Sequence, residues 1–278
     1  MAIAKEQHDY RRLGQWLNGL ANIYAHQDKW LDAYNTYQEA LGIHQTNGDH
    51  HAIAKVLDNT GNVLSQLARH QDALLCHRQA LKLAEALNDT QTIGNASGNL
   101  ALTLSHLGEY EQALELHQRA ISCFEELKDI TELAAEYGHA AQILGRLGKY
   151  SLCEQHFAHM LRLSKSSGRT SLEVDAHSGL GYVARMQNQL DEAINHHDAA
   201  LTLAIQIGDR QKEQQQLGML GIIHFELAQF DDAITCYTRA IEIADAIGNT
   251  LSKGNHLVNL ANVHNAQGNG DLVQYRSE

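Results

Sequence analysis

The chain has 278 residues, a formal net charge of −12 with histidine neutral, 18 histidines, four cysteines and no proline. The acidic balance disfavours generic binding to nucleic acid or to anionic membranes. No apolar run reaches the ~20 residues that a membrane-spanning helix needs.

Nothing at the start reads as a secretory leader, because Met1-Ala2-Ile3-Ala4-Lys5-Glu6 turns polar at once. Cys76, Cys123, Cys153 and Cys236 form no Cys-x-x-Cys pair and fall inside helical patterns. They are expected to be reduced packing residues of a cytoplasmic protein. Protonation of the histidines near pH 6 would erase much of the negative charge. The plainer reading is that they are polar residues on helix surfaces.

The sequence repeats every 40 residues without insertion or deletion. One ladder is Ala33, Ala73, Ala113, Cys153, Ala193, Ala233; a second is Ala40, Ala80, Ala120, Met160, Ala200, Ala240. A third carries large residues: Trp30, His70, Tyr110, Tyr150, Leu190 and Phe230. A period of this size means stacked supersecondary units, none of which buries its apolar face alone. Such an array offers a long surface rather than a catalytic pocket.

In chain order, Met1 to Ala4 is in register with Leu41 to His44, so it reads as the end of a helix whose beginning is missing. Full repeats are expected at about 10–49, 50–89, 90–129, 130–169, 170–209 and 210–249, with a partial one at 250–278. The third shows the pattern most clearly. Ile93, Ser97, Leu100, Ala101, Leu104 and Leu107 have helical spacing, Gly108-Glu109 is a turn, and Tyr110, Ala113, Leu114, His117, Ala120, Ile121 and Phe124 share one face of a second helix. Each repeat is therefore an antiparallel pair, helix A and helix B. At about 18 residues, each helix is roughly 27 Å long.

The junctions carry stop and start signals back to back. Gly48, Asn88, Lys128, Gly168, Gly208 and Gly248 occupy the stop position, where Gly and Asn suit a left-handed backbone. Asp9, Asp49, Asp89, Asp129, Arg169, Asp209 and Asn249 occupy the cap, where a side-chain oxygen can accept from an orphan N–H. A small-residue column, Ala21, Gly61, Ala101, Ala141, Gly181, Gly221 and Ala261, lets helices A and B approach closely, and the large column wedges between repeats.

The fourth repeat is irregular. Cys153 and Met160 replace alanines, Arg169 replaces the capping acid, and Ser164 to Ser171 is the most polar, Ser-rich stretch. Altered helix spacing or mobility is expected near 150–172, with Thr170 or Ser171 capping the next helix. Ordinary repeat drift, with Met160 as a soft filler, is the alternative. At the far end, Asp271 to Glu278 reads as a helix B that stops after about two turns. Incomplete ends predict a fragment of a longer protein, and self-association through uncapped terminal helices is plausible.

Leu100-Ala101, Gly108, Tyr110, Ala113 and Ala120 resemble the tetratricopeptide repeat (TPR). Leu20-Ala21-Asn22, Gly61-Asn62 and Leu260-Ala261-Asn262 resemble the signature of Leu-Gly-Asn repeat proteins, which share the 40-residue subclass with kinesin light chains and bacterial TPR regulators. The resemblance implies an all-α, right-handed α-solenoid of antiparallel helix pairs, with six full units plus partial terminal units in one domain over 1–278. It also implies a scaffold or adaptor that holds an extended or helical partner segment in a groove lined by A helices. A ligand-sensing segment controlling a separate effector domain, and a structural self-association array, are the alternatives.

The groove face of helix A is then marked by two columns. Their candidate ligand residues are Asn59, Asn99, His139, Met219 and Asn259 in one, and Asn22, Asn62, Leu102, Gln142, Tyr182, Ile222 and Asn262 in the other. Asparagine offers a donor and an acceptor and can pair with a peptide backbone without reading its sequence. The competing reading is that these amides bond to one another. Arg146 and Arg185, with Lys55 more distant, occupy the same face as Asp58, Asp175 and Glu226; Arg146 and Arg185 would clamp a carboxylate or phosphate, or alternatively pair with nearby acids. Asn18, Asn95 and Asn99 stand where chaperone-binding relatives need basic residues, so capture of chaperone C-termini is not expected.

No catalytic motif is present. His156 and His159, with Glu154, have metal-ligand spacing but lack a third ligand in a strong motif. His77, His117 and His197 recur where Tyr37, Phe157 and Tyr237 stand and read as packing residues. Neither cofactor nor metal is expected; the partner is a protein or peptide segment.

Overall fold

The computed structural model describes residues 10–274, with side chains described up to Gly268. Within them are thirteen helices: α1 (Tyr10–His26), α2 (Trp30–Thr46), α3 (His50–Gln66), α4 (His70–Leu87), α5 (Thr90–His106), α6 (Tyr110–Leu127), α7 (Ile130–Arg146), α8 (Tyr150–Ser167), α9 (Thr170–Met186), α10 (Leu190–Gln206), α11 (Arg210–Glu226), α12 (Phe230–Ala246) and α13 (Thr250–Gln274). The protein is all-helical, built from consecutive antiparallel pairs. Two compact units divide the chain, Met1–Ile143 and Leu144–Glu278.

The punctuation is regular. Positive φ occurs at Asp28, Gly48, Ala68, Asn88, Gly108, Lys128, Gly148, Gly168, Asn188, Gly208, Ala228 and Gly248, one residue in every 20. Each ends a helix in the left-handed region and turns the chain back. Asp49, Asp89, Asp129, Asp209 and Asn249 then accept from the backbone N–H three residues on, at 2.9–3.2 Å. Arginine has no acceptor, and Arg169 caps nothing. Thr170 and Ser171 lie inside α9 rather than capping it.

In the N-terminal unit, Leu13, Leu17, Ala21, Ala33, Tyr37, Ala40, Val56 and Val63 form one buried cluster, with Trp30 packed against it. Trp30 thus packs on a cluster that draws members from α1, α2 and α3. In the C-terminal unit Leu190 packs against Ala184, Ala193 and Ile223, and Phe230 against Ala233, Tyr237 and Val263. Cys153 and Met160 are buried at their alanine positions. Burial pushes the Cys153 thiol up to about 11, far from a reactive thiolate.

The small column works as a contact surface. A Cβ on Gly61 would lie 2.5 Å from the His77 ring, one on Gly181 would lie 2.7 Å from His197, and one on Gly221 would lie 2.8 Å from Tyr237. Ala21, Ala101 and Ala141 are fully buried, whereas Ala261 is exposed.

The expected helix fragment at Met1–Ala4, and the cap Asp9, lie outside the described residues. At the other end the expected turn before Asp271 is absent, and α13 runs as one 25-residue helix through Gly268 and Gly270. Continuing α13 adds a backbone hydrogen bond per residue without the cost of a new helix nucleus. Residues 275–278 lie outside the description.

Candidate functional site

In the N-terminal unit, α1, α3 and α5 line a cavity of about 360 Å³. Asn22, Asn59, Asn62, Asn99 and Leu102 all face it, together with Trp30 and Tyr37. In the C-terminal unit, Met219, Ile222 and Asn259 line a second cavity of about 650 Å³, with buried Gln214 and Gln216 in its wall. Tyr182, Arg185 and His139 are half-buried, whereas Gln142, Arg146 and Asn262 are exposed.

The asparagines are already engaged. Asn59 Nδ2 donates to Asn22 Oδ1 at 3.4 Å and to Asn18 Oδ1 at 3.5 Å. Tyr37 donates its hydroxyl to Asn22, and burial pushes the Tyr37 pKa up to about 12, keeping the proton in place. Asn99 Nδ2 donates to Asp58 Oδ2 at 2.9 Å. In one place, therefore, amides bond across A helices and the same residues border open space. Asn62 is exposed, with Leu102 half-buried beside the same cavity.

On the charged face, Arg185, Asp175 and Asp58 form internal pairs. Arg185 makes a bidentate contact to Glu226, at 2.5 and 3.1 Å. Asp175 binds Lys212 at 2.7 Å. Asp58 is buried against His77 and Asn99. The planar fork of Arg185 is thus filled by an acid 41 residues on.

The histidine column is indeed packed, since His77, His117 and His197 are fully buried. What spacing alone did not disclose is a polar anchor 19 residues away in each case. His77 Nδ1 meets Asp58 Oδ1 at 2.8 Å, His117 Nδ1 meets Glu136 Oε2 at 2.6 Å, and His197 Nδ1 meets Gln216 Oε1 at 2.9 Å. The first anchor precedes its histidine and the other two follow. Glu136, Gln216 and His256 are polar exceptions in a column that otherwise reads Trp16, Val56, Ala96 and Ala176; those exceptions were the available signal. Burial works to raise the Glu136 carboxyl, but the hydrogen bond with His117 and the nearby His139 imidazole prevail and hold it below the usual carboxylate range. The sequence's own metal candidates do not converge: His156 Nδ1 is bonded to Leu152 O, and His159 Nδ1 accepts from Arg162.

This is a helical-repeat surface of the protein-binding kind. The tetratricopeptide-repeat family matches residues 12–86, 95–127 and 217–246, and the chain belongs to that family. No curated protein matches the sequence significantly. Among solved structures, BtubC from P. vanneervenii is similar at 18% identity and TM-score 0.69, covering 80% of this chain and 92% of that one. The signal-transduction ATPase with a tetratricopeptide-repeat sensor from Pyrococcus horikoshii is similar at 15% identity and TM-score 0.79, covering 94% of this chain and 41% of that one. A Rap protein complexed with Competence and Sporulation Factor is similar at 15% identity and TM-score 0.66, covering 92% and 76%. At these identities the likeness shows the fold. No helix among the described residues is long and apolar enough to cross a membrane.

Proposed function

We propose that this protein is a non-catalytic scaffold that holds an extended peptide segment of a partner protein along its A helices. The observation that carries the reading is the cavity where Asn22, Asn59, Asn62, Asn99 and Leu102 converge from three successive A helices. Packed helices lie about 8–10 Å apart, and an extended chain rises about 3.3 Å per residue. Successive amides would then meet about every third residue of the bound segment. Asn62 supplies main-chain hydrogen bonds, and Leu102 with Trp30 supplies apolar contact for alternate side chains. The Rap structure named above, which carries a bound factor, supports a ligand-holding use of this architecture.

Peptides selected from a random library on the immobilised protein test this. Binding of the best peptide should weaken more than about 10-fold, or ~1.4 kcal/mol, in the double variant Asn62→Ala, Leu102→Ala. Unchanged affinity refutes the assignment. Asn62 is preferred to Asn99 for this purpose, because removing Asn99 strips a partner from buried Asp58.

A further inference from the structure

We propose that His117, Glu136 and His139 form a binding site for one divalent transition-metal ion of the zinc type, bridging α6 and α7. The three potential ligand atoms all lie within 4.8 Å of one another. His117 Nδ1 is 2.6 Å from Glu136 Oε2, and His139 Nδ1 is 3.9 Å from Glu136 Oε1. Each carboxylate oxygen is thus faced by a different imidazole nitrogen. The His117 and His139 rings tilt against one another with centroids 5.7 Å apart.

Two histidines and one carboxylate make the donor set of three-ligand zinc sites that keep a fourth position open. Glu136 and His139 are spaced i, i+3, the Glu-x-x-His arrangement by which bundle helices project metal ligands to one side. The facing helix supplies His117, which is fully buried. Space for the carboxylate is left by Gly98 on α5, where a Cβ would fall 2.4 Å from Glu136 Oε1. His139 is the route in, since its side chain is 33% exposed, and its Nδ1 has no hydrogen-bond partner. Metal would replace the His117–Glu136 hydrogen bond, with Nδ1 of each ring and one or both carboxylate oxygens as ligands.

Titration of the full chain with Co²⁺, a spectroscopic substitute for zinc, tests the site. We expect one ion per chain with visible ligand-field absorption, displaced by Zn²⁺. Affinity should fall more than about 10-fold in Glu136→Gln and in His139→Ala, and persist in the control His156→Ala. Glu136→Gln disturbs a buried contact, so His139→Ala is the decisive variant: truncating a part-exposed ring leaves the helices intact by circular dichroism. In the unsubstituted chain, Zn²⁺ should shift the imidazole NMR resonances of His117 and His139. Absence of binding, unaltered affinity in His139→Ala, or ring shifts confined to other histidines would overturn the proposal.

Discussion

Adding one methyl group at Gly61 should separate helix propensity from helix contact. In a free helix, Gly→Ala stabilises by about 1 kcal/mol. Here the new Cβ would sit 2.5 Å from His77 Cε1, 2.6 Å from Nε2 and 2.8 Å from Nδ1. The ring must retreat about 1 Å to reach ordinary contact distance. Its Nδ1 is only 2.8 Å from Asp58 Oδ1, so that retreat breaks the bond. His77 cannot re-anchor forward as His117 does, because Ala96 stands where the equivalent of Glu136 would be. Overpacking costs about 1–3 kcal/mol, and a buried carboxylate losing one of its two partners adds about 1–3. Against the propensity gain of about 1 kcal/mol, Gly61→Ala should destabilise by about 1–5 kcal/mol. Gly42→Ala is the matched control: nothing lies within 4 Å of its Cβ position, and it should stabilise by about 0.5–1 kcal/mol. Urea unfolding followed by circular dichroism reads both. A Gly61→Ala midpoint at or above that of the parent would refute the argument that the ring, and not the backbone, demands glycine.

Three further outcomes are expected. Ala68 and Ala228 hold φ of 57° and 56°, so glycine at either should raise stability by about 1 kcal/mol, measured as a shift in the same urea midpoint. Burial, aided by His196 and Lys165, pushes the His177 imidazole down to about 4. Its folded value lies below its unfolded value, so the unfolded chain takes up the proton first. Stability is therefore complete above about pH 6.5 and falls as pH drops towards 4, with about 1–2 kcal/mol from His177 by pH 5. Burial pushes His156, His196, His197 and His256 in the same direction, and a flat stability profile between pH 7 and 5 would contradict this. Asp89→Ala removes the acceptor for both the backbone N–H and the hydroxyl of Thr92 and should cost about 1 kcal/mol, seen as faster amide exchange in the first turn of α5.

Most of the fold was legible because the 40-residue register repeats the same local chemistry. Gly48 and Asp49 are interpretable together as stop and start, and the backbone and cap geometry follow them. Where a residue breaks the column, as Arg169 does, the helix still begins on schedule, held by packing rather than by its cap. The site was only partly legible. Periodicity placed Asn22, Asn59, Asn62, Asn99 and Leu102 on one wall, because a helix face is a matter of spacing. It could not say that Arg185 is occupied by Glu226, since that depends on side-chain reach between helices. Nor did it couple His117 to Glu136 and His139, which required knowing which way a buried ring turns.

The left-handed residue at every twentieth position has a kinetic consequence. Within each unit it keeps helices beside their sequence neighbours, and side-chain hydrogen bonds such as Arg185–Glu226 and Gln214–His256 span about one repeat. Little loop-closure entropy is lost before contacts form, so the barrier to folding should be low for a chain of this length. Opening need not be all-or-none either: each repeat is held only by those adjoining it. Amide protection should therefore change within each unit in steps of one helix pair.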